Sequence, residues 1–327
     1  MLKSRARLPE PILTETDDKY ITRDKYKWIK KRFNAQRAAN WEVKEINLSQ
    51  DYIDARSDKI PLEVRKMVKR FHALFMVMDG IVAENINVNF CHKIQIAEIR
   101  FIYAQQNSIE AVHQLTYQKI ARTLCEKPEE FEELCRAHRE DPGVKAKAEW
   151  AKSWTSEDRL FEEQIVAFAC IEGIFFFSTF AGIDWIKKRG WFPGVCQAND
   201  LIRSDETEHV KTAAEIVYYL LVNKLSVEKF HEIIASSVEV EKLFVRNLFA
   251  NFDILGLNAK LMERYVEYVA DYVCKLFSYP AYYKAVNPFD WLDAQSIEGK
   301  TNFFERSETK YIVGATMPNI FSTTEAF

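Results

Sequence analysis

Glu110 and His113 stand three residues apart, and Glu206 and His209 repeat that spacing. Positions i and i+3 of a helix project from one face, so each pair can present an oxygen and a nitrogen to one metal ion. Two lone carboxylates, Asp79 and Glu172, each lie on an apolar stretch ahead of one pair, giving the order D…ExxH…E…ExxH. Four carboxylates and two imidazoles form the ligand set of a dinuclear centre buried in a helical bundle. Hard oxygen donors with two imidazoles suit iron or manganese better than zinc. Four carboxylates also balance two divalent ions with neutral histidines; without metal they would repel one another, and some would take up protons. Internal salt bridges are the other use for so many acids, but no Lys or Arg is interleaved with these apolar positions.

Glu228–His231 is a third ExxH pair and serves as a control. It sits among charged neighbours in SVEKFHEII, with no lone carboxylate left to partner it, and reads as a surface pair. Tyr117 lies seven residues after Glu110, on the stripe that carries His113 and one turn beyond it. A phenol so placed beside a redox-active pair can lose one electron. Phe176 and Phe180, four and eight residues after Glu172, and Ile202, four before Glu206, offer a hydrocarbon wall around it.

These side chains need long helices to hold them. The 327 residues include only 9 Gly and 9 Pro, and neither occurs from Ile81 to Lys127. One large all-helical domain is expected rather than two domains. Helices are expected at about Lys25–Ala39, Pro61–Asn85, Gln95–Leu124, Pro128–Ala137, Val144–Trp154, Ser156–Lys188, Gln197–Val222, Val227–Asn251 and Asn258–Phe277. A turn is placed near the asparagines 85, 87 and 89. An N-terminal arm (1–24) precedes the body, and a flexible tail follows from about Glu305, ending the bundle domain at 304. Asp79 to Glu110 and Glu172 to Glu206 are similar intervals, each suited to a helix hairpin that brings its carboxylates to one depth.

Net charge is −3 with both signs interspersed, which points to neither nucleic acid nor an anionic membrane. The apolar run Ile165–Ile186 contains Glu172 near its middle, a costly residue in a lone spanning helix, so a buried core helix is expected. The six cysteines form no CxxC motif, and the N-terminus lacks a secretory core; a cytoplasmic home is the simplest reading.

Several runs carry a resemblance: DGIVAENI (79–86), EAVHQLTY (110–117), VAFACIEGIFF (166–176), WIKKRG (185–190), DETEH (205–209), NPFD (287–290) and EGKTNFFE (298–305). Together they resemble the small, radical-generating subunit of class I ribonucleotide reductase of the eukaryotic and viral type. The resemblance implies a ferritin-like bundle with two iron ions per chain, manganese being possible, held by Asp79, Glu110, His113, Glu172, Glu206 and His209. It implies that O2 chemistry there makes a tyrosyl radical on Tyr117, used by a separate large subunit to reduce ribonucleoside diphosphates. It also gives roles to Trp41 (electron entry), Asp205 (linking that indole to His113) and Tyr311 (relay in the tail), with the last segment, IFSTTEAF, docking on the large subunit. A homodimer is implied as well. The chain departs from the family pattern at Ser204, Asn40 and Glu208. Another di-iron oxidase, of hydroxylase or desaturase type, is one competing reading, against which Tyr117 and EGKTNFFE weigh. An iron-storage protein is a second, although a storage subunit is near half this length and needs no redox-active tail. A silent paralogue serving only assembly is a third, against which the retention of all six ligands and Tyr117 weighs.

Overall fold

The computed structural model describes residues 7–17, 19–250 and 256–292; the tail with Tyr311, the EGKTNFFE run and the expected domain end at 304 lie outside these. The described residues form α-helices and contain no β-strand. They are α1 (Pro11–Thr14), α2 (Lys27–Ala38), α3 (Ser49–Asp54), α4 (Leu62–Asn85), α5 (Ala97–Leu124), α6 (Pro128–Glu140), α7 (Pro142–Trp154), α8 (Phe161–Cys170), α9 (Phe177–Lys187), α10 (Pro193–Tyr219), α11 (Val227–Phe249) and α12 (Ala259–Leu276). Two π-helical segments, Ile86–Cys91 and Ile171–Phe175, extend α4 and join α8 to α9.

The long helices pair as the hairpin spacing requires. α4 packs along α5, α10 crosses α8 and α9, and α11 lies between α7 and α12. Every residue of α8 is buried, and so is α9 up to Ile186. The stretch Phe161–Lys187 is long and apolar enough to cross a membrane, yet it is buried among the other helices from Phe161 to Ile186. Each fully buried aromatic of this core, such as Phe168, Phe175 or Phe176, stabilises the bundle by about 1.5–3 kcal/mol.

Local chemistry sets the helix starts. Asp141 caps α7 by accepting from Gly143 N (2.9 Å) and Val144 N (3.2 Å), with Pro142 at the first helical position. Ser226 and Asn258 cap α11 and α12 in the same way. α10 is different, because its cap comes from afar. Asp51 of α3 accepts from Gly194 N (2.9 Å) and Val195 N (2.8 Å), and Asp54 accepts from Phe192 N (2.7 Å). A Cβ on Gly194 would collide with the Asn47 carbonyl, so only glycine lets α3 come this close.

Several expectations need correction. The turn placed at asparagines 85–89 is instead a π-helical continuation of α4, in which Asn89 donates to Asn85 Oδ1 and Thr155 O, both at 2.7 Å. The single helix expected over Ser156–Lys188 starts at Phe161 and is interrupted by the π segment that carries Glu172. α10 begins at Pro193, four residues before the expected Gln197, because Asp51 supplies the cap; it ends at Tyr219 rather than Val222. α1, α3 and a 3₁₀ turn at Val43–Glu45 were not expected. The described part of the N-terminal arm is pinned to the body: Glu10 accepts from Val222 N and Asn223 N, and Ile12 O accepts from Gln95 N.

Candidate metal centre

α4 brings Asp79, α5 brings Glu110 and His113, the π segment brings Glu172, and α10 brings Glu206 and His209. All six side chains are buried. Their donor atoms fall into two groups: Asp79, Glu110, His113 and Glu206; and Glu110, Glu172, Glu206 and His209. Glu110 and Glu206 belong to both, as expected of carboxylates shared between two neighbouring ions. The control pair stays outside, since Glu228 is exposed and His231 Nε2 lies 2.9 Å from Pro280 O.

The convergence on the two imidazoles is what tests the fit to metal. Nδ1 of His113 has Glu206 at 3.1 Å, Glu110 at 3.2 Å and Asp79 at 3.7 Å. Nδ1 of His209 has Glu206 at 2.8 Å, Glu110 at 3.3 Å and Glu172 at 3.8 Å. One ring nitrogen can donate one proton, so three carboxylates around each exceed what hydrogen bonding can satisfy. Both oxygens of Asp79 and Oε2 of Glu172 are buried without a hydrogen-bond partner of regular geometry. Such an oxygen-rich, desolvated set fits two divalent cations.

Electrostatics agree. Burial first, and the neighbouring carboxylates second, push Asp79, Glu172 and Glu110 above the ordinary carboxylate range. Burial works the same way on Glu206, but His209 and His113 outweigh it and hold that carboxylate low. Both histidines are raised against burial, His113 by hydrogen bonds to Asp205, Glu110 and Glu206, and His209 by Glu206 and Glu110. Among the described residues no Lys or Arg enters the cluster: Arg203 on α10 pairs with Asp184 and Asp200, and Glu208 between Glu206 and His209 pairs with Arg32 of α2 and with Lys211. The acid at 208 therefore braces α10 against α2.

Beyond the cluster, His113 Nε2 donates to Asp205 Oδ2 (3.1 Å), and Trp41 Nε1 donates to the same oxygen (2.9 Å). Tyr117 is buried, its ring stacked on Phe75 at 4.7 Å. Burial foremost, then the charge of Asp79, raises its phenol well above the ordinary tyrosine range, so it is a neutral phenol at pH 7. Phe176 and Phe180 both pack on Phe75, at 5.7 and 5.5 Å, and so extend the wall around Tyr117; Ile202 is buried one turn before Glu206.

Three side chains escaped the sequence reading. Gln106 donates to Glu172 Oε1 (2.9 Å) and Glu110 Oε1 (3.4 Å). Phe75 stacks on Tyr117, and His72 meets the same ring edge-on at 6.2 Å. His72 is held near pKa about 4 by burial and is neutral at pH 7. Each had a signal: Gln106 precedes Glu110 by four residues, and Phe75 and His72 precede Asp79 by four and seven, all on the faces of known candidates.

The family model described as ribonucleotide reductase, small chain, matches residues 19–288. The chain belongs to the ribonucleotide reductase small-chain family. It is 36% identical to the ribonucleoside-diphosphate reductase small chain of Trypanosoma brucei brucei, over 94% of this chain and 91% of that one. It is also 36% identical to the corresponding small chain of Nicotiana tabacum, over 95% of this chain and 94% of that one. Its fold matches the ribonucleotide reductase Rnr4 homodimer from Saccharomyces cerevisiae with a TM-score of 0.79, 26% identity and 93% coverage of each chain. Ribonucleotide reductase small chains are dinuclear metal proteins and components of an oxidoreductase, and the buried donor set described above is such a metal-binding group. Membership sets aside the hydroxylase, desaturase and iron-storage readings.

Proposed function

We propose that this chain is the radical-generating subunit of ribonucleoside-diphosphate reductase, with Tyr117 as its radical site. Asp79, Glu110, His113, Glu172, Glu206 and His209 would hold two iron ions, and manganese suits the same donors. Bound there, the ions would supply the oxidising power, drawn from O2, that takes one electron from the phenol. The observation that carries the reading is Tyr117 itself, fully buried between the donor set and an aromatic wall. Hydrocarbon neighbours keep water and reductants from a phenoxyl radical. Asp79, whose charge acts most strongly on this phenol, is the group placed to hold the departing proton.

His113, Asp205 and Trp41 form the hydrogen-bonded route by which an electron would enter and the oxidising equivalent would leave. Tyr311 would relay it within a tail (305–327) whose last segment docks on a large subunit, where ribonucleotides become deoxyribonucleotides. A homodimer has support on α5, whose Phe101, Ala104, Ser108, Ala111 and Leu115 form an exposed stripe at alternating three- and four-residue spacing. A cytoplasmic location agrees with six free thiols.

Reconstitution with a large subunit tests the reading. Deleting the last seven residues should weaken the complex and spare the radical, whereas Tyr311→Phe should spare the complex and abolish turnover. Full nucleotide reduction by the Tyr311→Phe protein would remove Tyr311 from the route.

A further inference from the structure

One buried ion pair lies outside the ligand cluster. Lys147 of α7 and Glu241 of α11 are wholly buried, with Nζ 2.7 Å from Oε2. Burial lowers the Lys147 pKa and raises that of Glu241, each against the pull of its partner. Such a pair is an expensive way to fill a core, because apolar residues of the same volume pack there at no desolvation cost. Its remaining hydrogen bonds show what it holds. Lys147 Nζ also donates to the carbonyl of Phe175 at 2.8 Å, and Glu241 accepts from the Ser178 hydroxyl. The ammonium lies 3.8 Å from the Phe244 ring centre, which leaves it little room to move.

Phe175 is the last residue of the π segment Ile171–Phe175, and Ser178 is in the first turn of α9. A π turn has poorer hydrogen-bond geometry than an α turn and persists where the surroundings hold it. Here the pair grips the C-terminal end of the segment. Its centre is confined by Gly173, where a Cβ would stand 3.0 Å from Val210 and 3.1 Å from Val273. Glu172 lies between these two restraints. The register of the segment sets where its carboxylate points.

We propose that the Lys147–Glu241 pair is a positioning device for Glu172. By holding the Phe175 carbonyl and the Ser178 hydroxyl, it locks the π turn in the register that aims Glu172 at Glu110, Glu206 and His209. The inference rests on the reading of Glu172 as a metal ligand. It predicts that the ion bound by the Glu172 group depends on the pair, while the ion bound by the Asp79 group does not.

The test is equilibrium dialysis of metal-free protein against Mn(II), alongside the melting temperature of the same metal-free samples. Lys147→Met should melt lower, because Glu241 loses its counter-charge. The double variant Lys147→Met/Glu241→Leu removes both charges and should recover the parental melting temperature. In both variants one Mn(II) should bind with parental affinity and the second about 10–100-fold more weakly, the range expected when the support of a metal ligand is lost. Ser178→Ala, which removes one hydrogen bond and no charge, should weaken the same ion by a smaller factor and covers the case in which Lys147→Met fails to fold. A double variant with recovered melting temperature and two Mn(II) at parental affinity would overturn the proposal, since the pair would then serve stability alone. Parental protein that binds no Mn(II) would instead overturn the ligand reading, and the positioning role with it.

Discussion

Trp41 and His113 lie stacked, ring centres 5.8 Å apart and planes 22° from parallel, and both donate to one oxygen of Asp205. Trp41 comes from the segment after α2, His113 from α5 and Asp205 from α10, so three distant stretches meet at one atom. Asp205 turns the His113 ring so that Nε2 faces the Asp205 carboxylate and Nδ1 faces Glu206, Glu110 and Asp79, the orientation a metal-binding histidine needs.

If this triad carries electrons, it can be broken without emptying the site. Trp41→Phe keeps an aromatic ring but removes the donor to Asp205. Metal content should stay parental, while nucleotide reduction with the large subunit falls by about 100-fold or more, the order seen when a needed proton or electron donor is lost. Parental turnover in Trp41→Phe would take the indole off the route.

The ligand assignment makes a sharper contrast. His113→Ala or Glu206→Ala should lose at least one ion per chain, because each removes a donor from the converging groups. His231→Ala should lose none, since its ring nitrogen is engaged with Pro280 O. Metal analysis of the three purified variants decides the point; equal losses in all three would contradict the assignment.

Asp51 should matter to stability although it is far from the chemistry. It is fully buried and caps α10, the helix of Asp205, Glu206 and His209. Asp51→Ala leaves two buried N–H groups unpaired and should cost about 1–3 kcal/mol, read from denaturant unfolding. A change below about 0.5 kcal/mol, the level of an ordinary surface substitution, would show that α10 needs no such cap.

How far the sequence alone reached follows from what each feature depends on. The six donors and Tyr117 were legible because i, i+3 and i+7 relations lie within single helices. Gln106, Phe75 and His72 escaped the reading, although the same rule places them on faces already marked. The π turn under Glu172 was not, since what grips it comes from α7, α10, α11 and α12. The start of α10 was equally hidden, because its cap lies more than 140 residues away, with Asp51 accepting from Val195. The link of Trp41 to His113 through Asp205 came from family likeness, for an indole in a loop and an acid on a helix carry no mark of their common neighbour.

The protonation of the cluster predicts an unusual pH dependence. In metal-free protein Asp79, Glu172 and Glu110 are raised, by burial first and by one another second, and His113 and His209 are raised by carboxylates against burial. The folded state then binds more protons than the unfolded chain above the ordinary pKa values of these groups. Stability should accordingly fall as pH rises from about 5 to about 8. Glu206 is shifted down, and its contribution is lost only at more acid pH. Metal binding displaces these protons, so the loaded protein should lack this slope. Melting curves of both forms at the two pH values provide the check, and a metal-free form that gains stability toward pH 8 would contradict the charge assignments.

The most direct test of the central claim is an electron paramagnetic resonance spectrum recorded after Fe(II) and O2 are added to metal-free protein. Two iron ions per chain and a tyrosyl signal are expected in the parental chain. In Tyr117→Phe the ring still fills the pocket beside Phe75, so both ions should bind while the signal disappears. A tyrosyl signal of unchanged line shape in Tyr117→Phe, or two bound irons with no signal in the parental chain, would contradict the account.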